Sequence, residues 1–344
     1  MITGEQKKWA EDFFDKCEAK IFSVTDDIKN DYPYIEIDGK YDNLKAHPFN
    51  WTSGFFGGMM WLLYLASGKE KYHNRAIRCS ERTAQAFIDP EYYGTLDNHD
   101  LGFIYLLTSV AHYRIDGNDY AKIRGLHAAT MLAGRFNLAG RYIRAWRNGI
   151  MNNDTRGYAI IDCMMNLPLL YWAGEECDDP RFAMIASAHA DTVLKEFIKP
   201  DGSVYHIVNF DAETGKVTDY PKGQGYCSGS SWSRGQAWAI YGFTAAYIHT
   251  GNTKYLAAAE KTAEYVMEHM SNFEIAPVDY MQPDMPKLYD ASASAATASA
   301  LLTLGEQSGN EKYMDFAIEL LRGVYRDCDF STQTQGIIRS ATDQ

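Results

Sequence analysis

The sequence has no run of basic residues, and its formal net charge is −12. Nucleic acids and anionic membrane surfaces are bound through clustered Lys and Arg, so neither is an expected partner. A small anionic ligand stays possible, because a few local cations and helix N-termini reverse the potential at one site. No apolar run is long enough to span a bilayer. The start, Met1 to Ala10, is polar and charged and lacks the apolar centre of a signal peptide. None of the six cysteines forms a Cys-x-x-Cys pair, and no His-x-x-x-His pair occurs. No metal site is therefore expected. Scattered through a long chain, the thiols read as free and buried in a reducing compartment, which points to the cytoplasm.

What the chain has in quantity is apolar and aromatic surface. Hydrophobic residues make up 46% of the 344 positions and aromatics 14%, including 24 Tyr and 7 Trp. Such rings fill a large helical core, and they also line sugar-binding clefts. The informative pattern is an internal repeat. Five segments each carry a Gly- and aromatic-rich helix, a turn and an amphipathic helix. They are Gly54–Ser67 with Glu70–Phe87, Leu101–Ile115 with Asp119–Leu132, and Tyr158–Ala173 with Pro180–Phe197. Arg234–Thr250 with Thr253–Met270 and Ala291–Gln307 with Glu311–Val324 complete the set. Four turns open on glycine, at Gly68-Lys69, Gly117-Asn118, Gly251-Asn252 and Gly309-Asn310, as a left-handed helix C-cap requires.

The first helix of each pair is apolar nearly all round, so it is expected inside, with its amphipathic partner outside. This predicts an all-α fold, an (α/α)6 toroid formed by residues 1–344 as a single domain. A leading helix, Gly4–Val24, and five pairs make eleven helices where such a toroid needs twelve. The last inner helix is expected to be lacking or replaced by an irregular element after Asp329. Strand signals are few. Ser203–Phe210 with the stretch to Val217 reads as a short hairpin, and Tyr32–Asn50 as a long loop.

Inner helices of a toroid run parallel, so their starts gather on one rim, where their N-termini add positive potential. That brings together Trp51, Asn98-His99-Asp100, Arg156, Asp162, Arg234, Gln236, Trp238 and Asp290. Asp100 precedes an apolar helix and reads equally as its N-cap or as part of a site. Asp162 lies within the apolar stretch Ala159–Leu167, where a carboxylate costs stability unless paired or protonated. It therefore either pairs with an arginine or does chemistry in a cleft. An ionised Asp100 nearby would raise the pKa of Asp162 and keep it a usable acid.

Asn98–Phe103, Ile161–Asn166 and the long block Ser231–Phe243 resemble the unsaturated glucuronyl hydrolases. Trp51–Phe55 and Leu288–Ala293 agree with the same family, and the likeness runs from Trp51 to Leu304. The resemblance implies an (α/α)6 barrel and a substrate that is an anionic unsaturated oligosaccharide left by a polysaccharide lyase. It also implies hydration of the C4=C5 vinyl ether without a metal or organic cofactor. Asp162 matches the family's acid/base and Asp100 its second carboxylate. His99, His206, Gln224, Arg234 and Trp238 match its uronate site, with Asn98 in the same motif and Trp51 and Trp146 as stacking walls. Lys222–Cys227, where relatives differ, places Lys222 either toward an anionic substituent or in solvent. Two other readings stand beside this one: an unsaturated rhamnogalacturonyl hydrolase, and a carbohydrate-binding protein without turnover.

Overall fold

A computed structural model describes residues 3–28, 32–43, 50–89, 96–149, 154–270 and 275–342. Helix α1 (Gly4–Ile28) leads into a hairpin of β1 (Pro33–Ile37) and β2 (Lys40–Asn43). Then come α2 (Ser53–Ser67) and α3 (Glu70–Thr83), which a 3-10 turn extends to Phe87. The next inner element is α4 (Leu101–Tyr105), a π turn (Leu106–Val110) and α5 (Ala111–Asp116), with α6 (Asp119–Ala133) outside it. A small hairpin, β3 (Phe136–Asn137) and β4 (Tyr142–Ile143), precedes β5 (Tyr158–Ile160). A 3-10 turn (Ile161–Met165), α7 (Leu167–Cys177) and α8 (Pro180–Glu196) follow. After β6 (Ile207–Phe210) and β7 (Val217–Asp219), the chain ends on α9 (Ser233–Thr250), α10 (Thr253–His269), α11 (Ala291–Ser308) and α12 (Glu311–Asp327).

Inner elements pack in sequence: α2 on α4, α4 on α7, α7 and its 3-10 turn on α9, and α9 on α11. Each also packs on its own outer helix, which is the alternating arrangement of an α/α barrel. The Gly-Asn dipeptides explain how each pair turns. Gly68, Gly117, Gly251 and Gly309 take φ of 66 to 70°, a left-handed cap that a side chain would strain. Asn118, Asn252 and Asn310 then open the outer helices, their side chains accepting from Ala121, Lys254 and Lys312 amides. The third turn does the same work with Asp178 at φ 52° and Asp179 as N-cap. Gly54 lets α2 meet α4, since a Cβ there would lie 2.2 Å from the Phe103 carbonyl oxygen.

The structure departs from the sequence reading in four places. Tyr158–Ala173 is not one helix. Residues 158–160 instead pair antiparallel with β6, Ile160 opposite Ile207, and α7 starts only at Leu167. Ile160 and Ile161 suit a strand once β6 is there to pair with them, and Pro168 suits the first turn of a helix. The Tyr32–Asn50 loop contains the β1–β2 hairpin, turned by Asp38-Gly39 with both φ positive; residues 44–49 lie outside the described residues. Met59, Leu62 and Leu65, spaced along one side of α2, are exposed although the helix is apolar all round. Finally, Cys79, Cys163 and Cys328 are buried, but Cys177 and Cys227 are exposed, and all six cysteines are free.

In place of a further inner helix, residues 328–342 form an irregular strap. Gln335 N–H donates to the Gly39 carbonyl at 2.9 Å, and buried Lys20 donates to the carbonyls of Ser331 and Thr334. The strap ends at α11, where Ala291 N–H donates to the Ser340 carbonyl at 2.6 Å. Among the described residues no helix is long and apolar enough to cross a membrane.

Candidate active site

Two stretches, 97–103 and 161–166, are fastened together. Asn166 Oδ1 accepts the Phe103 N–H at 2.8 Å, and its Nδ2 donates to the Asp162 carbonyl at 3.1 Å. Gly102 permits this, since a Cβ there would stand 2.5 Å from Asn166 Cα. Behind the first stretch, buried Arg135 donates to the carbonyls of Arg144 and Ala145 and pairs with Asp97. The His99 N–H donates to the Ala145 carbonyl at 2.8 Å, and Asn98 bridges to Trp146. Asn98 Oδ1 accepts the Asp100 N–H at 2.6 Å. Asp100 stands at the N-cap position of α4 but makes no capping bond with its side chain. Its carboxyl is left for other work.

Asp162 is the second residue of the 3-10 turn, not a member of a longer helix. The turn is set by β6, since the Ile161 N–H donates to the His206 carbonyl at 3.0 Å. That same pairing swings the His206 ring toward the carboxylate, with Nε2 3.5 Å from Asp162 Oδ2. This is longer than a good hydrogen bond, and Oδ2 is buried with no closer partner among the described residues. His99 Nε2 lies 3.5 Å from Asp100 Oδ1, and its Nδ1 is also buried and unpartnered. Unfilled polar atoms at one place mark a site built to receive something.

The electrostatics reverse the expected order of the two carboxyls. Burial, and then the charge of Asp162, push the Asp100 carboxyl up to about 8. Burial is the largest single influence on Asp162 and acts upward, but the His206 hydrogen bond and charge, the His99 charge and the Asp162 backbone amide together outweigh it and hold that carboxyl below its ordinary value. Burial lowers His99 to about 4, so at neutral pH the ring beside Asp100 carries no charge to offset its ionisation. The couple therefore keeps its proton on Asp100 and its charge on Asp162.

Aromatic rings extend the site. Trp51 packs on Phe103 at 5.4 Å between centroids, and Phe103 on Trp238 at 5.6 Å. The Trp238 Nε1–H is buried without an acceptor among the described residues. Trp146 packs on Tyr158 at 6.3 Å, and Trp232 lies 4.5 Å from the His206 ring.

Residues 23–247 match the model of Glycosyl Hydrolase Family 88. The chain belongs to that family. The unsaturated glucuronyl hydrolase of Bacillus sp. (strain GL1) is 34% identical over 319 residues, covering 90% of this chain and 82% of that protein. The unsaturated glucuronyl hydrolase of Formosa agariphila is 38% identical over 278 residues, 79% of this chain and 67% of that one. The crystal structure of the Bacillus sp. GL1 enzyme, described as responsible for the degradation of glycosaminoglycan, superposes with a TM-score of 0.89 at 30% identity. That superposition covers 96% of this chain and 88% of that one.

In this family 88 chain, Asn98, His99, Asp100 and Trp146 form one group of contacts and Asp162, His206 and the Gln224 backbone another, the two stretches fastened by Asn166, with Trp51 and Trp238 joined through Phe103. Arg234 is placed behind Trp232, stacked on it at 5.1 Å, and is already engaged. It lies 3.4 Å from Asp290 and donates to Ser292 Oγ and the Thr342 carbonyl. Gln236 is a buried clamp on Val204, and Arg156 forms a surface pair with Asp154. Arg135, which pins the 97–100 stretch, and Asp279, whose carboxylate organises the loop behind His206, are absent from the sequence reading. Asp279 stands in an aperiodic segment, and no local pattern there distinguishes it.

Proposed function

We propose that the chain is an unsaturated glucuronyl hydrolase. It removes the terminal 4,5-unsaturated uronic acid from lyase-generated, glycosaminoglycan-type oligosaccharides. The observation that carries this reading is the pair of half-buried carboxyls Asp100 and Asp162, each faced by a histidine at 3.5 Å, with a buried Asp162 oxygen that has no closer partner among the described residues. An enol ether needs a positioned acid of modest strength and a base for water, and such a couple supplies both. In the mechanism, the proton that Asp100 holds below pH about 8 passes to Asp162, which delivers it to C4, leaving an oxocarbenium-like centre at C5 and both carboxyls ionised until water gives a proton back. Water adds at C5 and returns a proton to Asp162. The hemiketal opens to a 5-ketone, and the hemiacetal left at C1 expels the rest of the saccharide. No metal or organic cofactor takes part.

Trp51, Trp146 and Trp238 hold the sugar rings, and Asn98, His99, His206 and Gln224 provide the polar wall. Arg234 reads the uronate carboxylate by exchanging its bond to the Thr342 carbonyl. The raised pKa of Asp100 favours a second reading, in which Asp100 itself delivers the proton and Asp162 activates the water.

The test follows the ultraviolet absorbance of an unsaturated chondroitin or heparin disaccharide incubated with the protein. Steady loss is expected, slowed at least ~10²-fold in Asp162→Asn. Binding without loss would mean a binding protein. Loss only with an unsaturated rhamnogalacturonan disaccharide would move the chain to that specificity. Residual turnover in Asp162→Asn, with none in Asp100→Asn, would exchange the two roles.

A further inference from the structure

The Gly223-Gln224-Gly225 loop reaches the site by its backbone. The Gln224 N–H donates to His206 Nδ1 at 2.9 Å. An amide N–H only donates, so Nδ1 is the unprotonated nitrogen and the ring proton sits on Nε2. Nε2 is the nitrogen that faces Asp162 Oδ2, at 3.5 Å. Only glycine allows this approach, since a Cβ on Gly223 would lie 1.7 Å from His206 Nδ1. The loop is held in turn by Asp279, which is 1% exposed. Asp279 Oδ2 accepts from Tyr226 N–H at 3.0 Å and Ser230 Oγ at 2.6 Å. Its Oδ1 accepts from Ser231 N–H at 3.0 Å and Met281 N–H at 2.8 Å. Gly225 lets the loop close on this carboxylate, because a Cβ there would stand 2.6 Å from Asp279 Oδ2.

We propose that Asp279, acting through residues 223–231, locks His206 in the Nε2–H tautomer, and that Asp279 and Gly223 are thereby positioning residues for Asp162. The inference rests on the acid/base reading of Asp162. A ring locked this way donates toward Asp162 and cannot take a proton at Nδ1 without breaking the Gln224 bond. The exchanging proton therefore stays on the carboxylate couple, and His206 orients Asp162 without relaying the proton.

The test is 15N NMR of histidine-labelled full-length protein at neutral pH without substrate, with His206→Gln used to assign the signal. The expected spectrum shows His206 protonated at Nε2 and not at Nδ1. Gly223→Ala and Asp279→Asn are expected to mix the tautomers and lower kcat roughly tenfold to a hundredfold, with a smaller change in KM. A wild-type His206 protonated at Nδ1, or at both nitrogens, overturns the proposal. So does a wild-type His206 spectrum in folded Gly223→Ala. If Asp279→Asn does not fold, the wild-type spectrum and Gly223→Ala decide. The tautomer is read without substrate, so its failure is separate from failure of the acid/base reading of Asp162, which shows as full turnover by Asp162→Asn and removes the positioning role with it.

Discussion

Asp100 and Asp290 both stand immediately before an inner helix, and they do opposite things. Asp290 has extended backbone angles, φ −134° and ψ 95°, and its side chain caps α11 through the Ser292 and Ala293 amides. Its second oxygen lies 3.4 Å from Arg234. Asp100 has φ −79° and ψ 15°, and its side chain caps nothing. An N-cap side chain reaches back to the helix amides from an extended backbone, and the Asn98 turn denies Asp100 that backbone. The same residue at the same place in the repeat is thus spent on structure in one case and left with an unsettled proton in the other. Asp279 and Asp162 repeat the contrast, one saturated with donors and the other with an open oxygen. A buried carboxylate whose partners are complete holds the fold, and one whose partners are incomplete is available for chemistry.

The sharpest way to break this comparison is to remove a member from each side. Asp162→Asn should lower kcat on an unsaturated disaccharide by ~10²–10⁴-fold while circular dichroism and the urea midpoint barely change. Asp290→Ala should do the reverse. It leaves the Arg234 charge buried without its carboxylate, at a cost of about 3–5 kcal/mol in urea unfolding. If Asp290→Ala kept full stability, the division between structural and chemical aspartates would fail.

A gentler test uses pH. The Asp100 carboxyl titrates near 3.9 in an unfolded chain and at about 8 when folded. Below about pH 4 both states hold the proton, and the group costs nothing. As pH rises from there to 8 the unfolded chain sheds the proton that the folded chain retains, so this group lowers stability until the loss is complete above 8. Asp100→Asn should therefore gain stability relative to wild type across that window, seen as urea midpoints that diverge with pH. Parallel midpoints would show that Asp100 ionises freely. The smallest effect is expected from Asn98→Ala, which frees the Asp100 amide and should cost about 1 kcal/mol.

Much of this was legible in the sequence because it is local chemistry. A glycine that ends one helix and an asparagine that starts the next are read without knowing the fold, and they located the helix pairs. The motif residues 98–103 and 161–166 likewise stand together in the structure. Three features were not legible, each because a distant partner decides it. Residues 158–160 look helical from their apolar run, and only β6, nearly fifty residues on, makes them a strand. The charge order of the two carboxyls depends on which one His206 faces. Asp279 matters through donors on a loop about fifty residues earlier. The β1–β2 hairpin is different, since Asp38-Gly39 is a short-range hairpin signal that the irregular flanks obscured.

The strap of residues 328–342 has a consequence for how the protein forms. Lys20 in α1 is 4% exposed, and its ammonium donates to carbonyls 311 and 314 residues later in the chain. The strap that covers this ammonium also supplies the carbonyls that replace its water, so α1 and the strap lock each other in place. The helix pairs are local units that form early, but their closure waits for the most distant contacts in the chain. Joining α1 to residues 331–334 therefore closes a loop of more than 300 residues, the slowest kind of contact for a chain to find.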